Sequence, residues 1–131
     1  MSMYRNRALL DLARGKPCML EIPGVCNHDP ATTVACHSNQ IRHGHGKGIK
    51  AHDVFCAHLC ADCHFWLDSG PAPRAEKVQA FQDAFERTLL ALFASGAVVV
   101  AGNRKSSPRA SRERPAKASR LSSSKILPRN L

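Results

Sequence analysis

The chain has 131 residues, room for one domain, and its formal charge of +9 is uneven: residues 104–131 carry nine of the nineteen Lys and Arg and one of the ten acids. That places +8 in the tail and leaves the preceding 103 residues near +1, a distribution that draws the tail toward polyphosphate. No run is long enough to cross a bilayer, and Arg5, Arg7 and Asp11 break up the first twelve residues where an export signal needs an apolar stretch, so the expected setting is a reducing cytosol in which six cysteines mean metal more readily than disulfides.

In chain order, residues 4–14 predict a short helix with Ala8, Leu9 and Leu12 along one side and Gly15 as its stop. Cys18 and Cys26 flank Pro23-Gly24, the central pair of a type II turn, which doubles the chain back and brings the two cysteines to one side. A two-residue hairpin would pair Cys26 with Glu21, so the arms must kink or bulge. Thr32 to Cys36 reads as a strand ending at His37. Residues 43–50, with Gly44, Gly46 and Gly48, predict a flexible loop. Val54 to Leu59 returns as a second strand, and Cys60 to Ser69 turns into a helix closed by Gly70-Pro71. A long helix follows over Arg74–Ser95, with Val78, Phe81, Phe85, Leu89, Leu92 and Phe93 as its core stripe and Gly96 as its C′ residue. Ala97–Ala101 reads as a small apolar strand. From Asn103 onward Ser, Arg, Lys and Pro dominate, the composition of a disordered tail. Phe65 and Trp66 are expected as core anchors, with stacking of one of them on a base as the alternative.

Cys18, Cys26, Cys60 and Cys63 form two pairs, the second in the spacing that grips one ion from a single turn of backbone. Four thiolates complete a tetrahedron and leave no position for substrate, so the expected Zn²⁺ is structural. A domain with so thin a core needs such a device, since bound zinc contributes on the order of 10 kcal/mol to folding. Cys36 and Cys56 are left as buried free thiols, with a pairing of Cys56 and Cys60 as the rival assignment.

Strand, loop, returning strand and helix make a ββα outline around one metal. Phosphodiester hydrolysis by such a unit needs an imidazole to take a proton from water and a divalent cation to neutralise charge on the phosphate. His37, at the first strand's end, can supply the imidazole. His64 and Asp68, four residues apart on one helix face, can hold Mg²⁺ or Mn²⁺ and leave most of its sphere to water and phosphate. Arg42, Lys47 and Lys50 in the glycine loop are candidate phosphate contacts, with simple solvation as the alternative. His43, His45, His52 and His58 stay open between phosphate or metal contact and ordinary loop polarity.

These residues resemble a family. Ala13-Arg14-Gly15-Lys16-Pro17-Cys18 with Ile22-Pro23-Gly24-Val25-Cys26-Asn27, then residues 30–37, 46–53 and Leu59-Cys60-Ala61-Asp62-Cys63-His64, look like the YbcO-type phage and prophage nucleases, small members of the HNH (His-Me finger) superfamily. The resemblance is dense over residues 12–70. It implies a ββα-metal fold, a structural zinc and metal-dependent endonuclease activity on DNA. By position, His37 matches the general base, His64 the last metal-binding histidine, and Asp68 the place of a second helix histidine. The sequence departs from the superfamily pattern at Cys36, where an Asp usually precedes the base, and at Phe55, where an Asn usually braces it. Asp53 is the nearest polar residue able to restrain the imidazole or reach the metal.

The chain therefore reads as α+β: a ββα-metal, HNH-like domain over 1–102 with structural zinc and a long C-terminal helix, and a basic disordered tail over 103–131. The function expected is a DNA endonuclease using Mg²⁺ or Mn²⁺. The alternatives are a non-catalytic zinc module that binds DNA or protein, and a structural or metal-buffering protein.

Overall fold

Asn6 starts the first helix: its side chain accepts the amide of Leu9 at 3.0 Å and satisfies a donor that the first turn leaves unpaired. In the computed structural model, which describes residues 2–102, this helix is α1 (Arg7–Asp11), shorter than the predicted 4–14. Residues 4–6 are drawn out of it because their polar groups bond to residues 50–53, in the segment entering the second strand. The predicted tail, 103–131, lies outside the described residues.

The turn at Ile22-Pro23-Gly24-Val25 forms as expected, with Gly24 at φ +78 and the Ile22 carbonyl accepting both the Val25 and the Cys26 amides. The expected kink is at Glu21, whose φ is +47. Asp29 then caps a 3-10 turn at Pro30–Thr32, with proline at its first position. That turn takes the residues predicted to start the strand, so β1 is Val34–His37. β2, Cys56–Leu59, also starts two residues late, because residues 53–55 turn before it. The strands pair antiparallel as a two-stranded sheet, Val34 opposite Leu59 and His37 opposite Cys56.

The predicted loop is more ordered than its glycines implied. A 3-10 turn covers Ile41–His43, Gly46 bridges to Ile49, and His43 is buried. Its ring stacks on Phe55 at 4.3 Å between centroids and its Nδ1 meets Ser38 Oγ at 2.6 Å. Ser38 Oγ also accepts the Gln40 amide at 3.0 Å. Burial, and then Arg42, holds the His43 ring below the usual imidazole range.

α2 (Ala61–Ser69) begins at Cys60, whose sulfur accepts the Cys63 amide at 3.3 Å. It ends at Gly70, where a Cβ would lie 2.6 Å from the Trp66 carbonyl oxygen. Trp66 is buried, but Phe65 is 67% exposed and is no core anchor, because it falls on the opposite side of the helix. α3 (Arg74–Ala94) turns Phe81, Ala84 and Thr88 inward. This buried line replaces part of the predicted stripe: Leu89 and Phe93 are exposed. Thr88 Oγ1 accepts the His58 amide at 3.1 Å and donates to the Ala84 carbonyl, tying α3 to β2.

The core gathers Leu20, Cys36, Ala57, Leu59, Trp66, Leu67 and Phe81 around the sulfurs of Cys18, Cys60 and Cys63. Cys36 and Cys56 are buried free thiols, their pKa raised by burial, that of Cys56 to about 12. Two compact units divide the chain within α3, Met1–Leu90 and a second starting at Ala91. In the second, Gly96 takes φ +82 and its amide reaches the Phe93 carbonyl, so the helix stops where predicted. Residues 97–102 are bends, irregular backbone and a turn, not the expected strand; β1 and β2 are the only strands among the described residues. No helix among the described residues is long and apolar enough to cross a membrane.

Candidate functional site

The sulfurs of Cys18, Cys26, Cys60 and Cys63 all lie within 4.8 Å of one another. A tetrahedral Zn²⁺ with bonds of about 2.3 Å needs sulfurs roughly 3.8 Å apart, so this donor set fits zinc with a slight contraction. The local reasons are visible. The Pro23-Gly24 turn folds Cys26 back toward Cys18. The Met19 amide donates to the His58 carbonyl at 2.8 Å and so lays that arm beside β2, whose exit carries Cys60 and Cys63. Protonation chemistry agrees with a metal. Burial alone would raise Cys60, but the Asn27 and Cys63 amides and neighbouring thiols donate to it and bring it to about 7. Cys26 is pushed up to about 11 by burial and the charge of Cys18, and Cys63 also rises, by burial first. Cys60 is thus the favoured thiolate, and Cys26 and Cys63 need a cation to lose their protons. Cys56 is not part of this cluster, which settles its rival assignment.

His37 ends β1 with its side chain 16% exposed, and its Nε2 lies 2.7 Å from Oδ1 of Asp53, which is 3% exposed. Asp53 sits in the turn before β2, not in the strand. Its carboxylate also accepts the Arg5 guanidinium at 3.1 Å and the Asn6 amide at 2.6 Å. Burial pushes this carboxyl upward, yet hydrogen bonds from His37, Asn6 and Arg5 outweigh it and the net shift is downward. An ionised Asp53 can only accept, so Nε2 of His37 carries a proton in this contact, and a neutral ring so held has its lone pair on Nδ1.

His64 and Asp68 lie one turn apart on α2, Nε2 to Oδ2 at 3.2 Å, and Asn39 donates to the other carboxylate oxygen at 3.1 Å. His37, His64 and Asp68 line one cleft of about 410 Å³, together with Asn39, His45, Lys50 and Arg14. A smaller cleft of about 240 Å³ shares His37, Leu10 and Lys50 with it and is completed by Arg5, Asn6, Arg7 and Asp53. The imidazole of His37 therefore borders both. An imidazole and a carboxylate on one helix turn suit a hard divalent cation that keeps water and phosphate as its remaining ligands. The cysteines are the one group of three or more such donors found among the described residues.

Of the three candidate phosphate contacts, Lys50 lines both clefts, whereas exposed Arg42 and Lys47 line neither; Arg42 Nε donates instead to Gln40 Oε1 at 2.8 Å. His43 is a core histidine, His58 is buried with its pKa lowered by burial and then by Lys16, and His45 is in the cleft. Sequence reasoning missed Arg5, Asn6, Arg14 and Asn39. Nothing in spacing marks them: Arg5, Asn6 and Asn39 reach the site through contacts far apart in the chain, and Arg14 only lines the cleft. Cys36 points into the core, so it cannot take the place of the superfamily's Asp.

Comparison with known proteins bears on the family of the chain. The family model described as "Putative nuclease YbcO" matches residues 7–97. The chain is 39% identical over 56 residues to "Putative nuclease YbcO" of Escherichia coli (strain K12), covering 43% of this chain and 57% of that one. The same figures hold for "Putative nuclease ybcO" of Enterobacteria phage 82, so the chain spans little more than half the length of these relatives. A solved structure described as a putative bacteriophage protein from Escherichia coli str. K-12 substr. MG1655 superposes with a TM-score of 0.53 at 27% identity, over 66% of this chain and 98% of that one.

Proposed function

This chain belongs to the YbcO family of nucleases, and from that premise we propose that it is a metal-dependent DNA endonuclease of the HNH kind. The observation that carries the reading is the His37–Asp53 pair, 2.7 Å apart, opening on a cleft that also holds His64 and Asp68. Asp53 keeps the proton on Nε2 and fixes the ring; Nδ1 is then the base. A water beside Nδ1 gives up its proton as its oxygen attacks phosphorus, and the bond to the 3′ oxygen breaks. Asp53 stabilises the imidazolium that results. Asn39 holds Asp68 toward His64. His64 and Asp68 would hold a Mg²⁺ or Mn²⁺ ion, which would neutralise the charge on the phosphate and the leaving oxygen.

Lys50 and Arg14 give the cleft cations for the flanking phosphates, with Arg42 and Lys47 as outlying contacts on the same loop. Arg74 and Lys77 extend this positive rim, in a hollow of about 540 Å³ that shares Asn39, His45 and Asp68 with the cleft. Asp53 takes over the bracing work of the superfamily's Asn, and Phe55, which stands in the Asn position, stiffens the loop by stacking on His43. The Cys18, Cys26, Cys60 and Cys63 set holds zinc as a structural ion.

Supercoiled plasmid incubated with Mg²⁺ or Mn²⁺ tests the reading. Cutting by the intact chain should fall by about 10²- to 10⁴-fold in His37→Ala with the fold unchanged. Binding of plasmid without cutting, in the intact chain and under both ions, would favour the non-catalytic zinc module.

A further inference from the structure

The family match begins at residue 7, yet a side chain and a backbone amide that hold the Asp53 carboxylate come from residues 5 and 6. Four consecutive groups make a strap. The Tyr4 amide donates to His52 Nδ1 at 3.0 Å, and the Asp53 amide donates back to the Tyr4 carbonyl at 3.0 Å. Arg5 spreads its guanidinium over the segment that carries Lys50 and Asp53: Nη2 to the Lys50 carbonyl at 2.9 Å, Nη1 to the Ala51 carbonyl at 2.6 Å and to Asp53 Oδ1 at 3.1 Å. The Asn6 amide completes it on Asp53 Oδ2 at 2.6 Å.

This geometry exceeds what anchoring a chain end requires. Asp53 Oδ1 is shared between Arg5 and His37 Nε2, so the guanidinium fixes the same oxygen that orients the imidazole. A planar fork bound to two backbone carbonyls at once cannot shift without moving Lys50, whose side chain lines both clefts. Arg5 is itself only half-buried and borders the smaller cleft beside His37.

We propose that the segment Tyr4–Asn6 is part of the catalytic apparatus, and that Arg5 is a positioning residue acting through Asp53 on the tautomer and orientation of His37. The inference rests on the endonuclease reading for its catalytic meaning, but its structural core is measurable without any cutting.

The test is Arg5→Ala and Arg5→Lys in the full chain, read in two ways. Ring ¹⁵N spectra of His37 near neutral pH should show the Nε2–H form in the parent and a mixture of tautomers in Arg5→Ala. On supercoiled plasmid with Mn²⁺, Arg5→Ala should lower kcat on the order of tenfold with KM within about twofold, because orientation rather than substrate binding is lost. Arg5→Lys, which keeps the charge but not the fork, should recover only part of kcat. An unchanged tautomer in Arg5→Ala overturns the proposal, as does a fall in kcat that only follows the fraction of unfolded chain. If the parent cuts nothing under either Mg²⁺ or Mn²⁺, the endonuclease reading fails and the tautomer spectra still decide the strap.

Discussion

At the scale of single residues, function turns on which group holds a proton. Asp53 is buried, but three donors keep it ionised, and this fixes His37 as an Nε2–H tautomer. Asp53→Asn should keep the shape of the pocket but withdraw the negative charge that stabilises the imidazolium. Plasmid cutting should then drop on the order of 10²- to 10⁴-fold, with an unaltered circular-dichroism spectrum. The same burial sets a pH dependence of stability. His43 has a lowered pKa in the fold, so between that value and the ordinary 6.5 the unfolded chain binds more protons, and stability falls as pH drops through this window. Asp53, also lowered, adds a second loss only as pH falls below its ordinary 3.8. Urea unfolding at pH 7, 6 and 5 should show the first loss, with a shallower slope in His43→Phe. That variant retains ring stacking on Phe55, and Ser38 Oγ keeps the Gln40 amide.

At the scale of elements, turn chemistry and cysteine spacing were legible in the sequence because they act locally. Pro23-Gly24 dictated a turn, and Cys60 with Cys63 placed two sulfurs at one helix start; the turn and the pair of sulfurs both stand in the structure. Strand starts at residues 32 and 54 were not legible, since the 3-10 turn at Pro30–Thr32 and the turn at 53–55 take those residues first. The Ala97–Ala101 run had strand composition, but a strand needs a partner edge, and composition does not reveal one. The stripe on α3 was read one row too wide. Phe81 at 3% exposure packs in the core whereas Phe65 at 67% does not, so Phe81→Ala should cost about 3–5 kcal/mol and Phe65→Ala less than about 0.5 kcal/mol in urea unfolding. Equal costs would show that the assignment of faces is wrong.

At the scale of the whole molecule, the proposed catalytic residues and the sulfur cluster occupy separate places while drawing on neighbouring positions in the chain. Cys63 belongs to the cluster and His64, the next residue, to the cleft, because successive helix positions are rotated by about 100°. The fourfold sulfur set was readable from spacing; the clasp of Arg5 and Asn6 on Asp53 was not, since those partners are 47 and 48 residues apart. A core this small should depend on its ion. Chelation or Cys60→Ser should lower the melting temperature by more than 10 °C, because structural zinc contributes on the order of 10 kcal/mol. Zinc uptake should also release protons, measured with a pH indicator, since Cys26 sits near 11 and Cys63 is likewise raised.

The division of labour between two ions is tested most directly by the double variant His64→Ala, Asp68→Ala, assayed for plasmid cutting while its zinc is counted by elemental analysis. One zinc per chain and an unchanged melting temperature are expected, with cutting in Mn²⁺ lost by at least about 10²-fold. Cutting that persists in this variant, or a zinc count that falls along with the activity, would contradict that division.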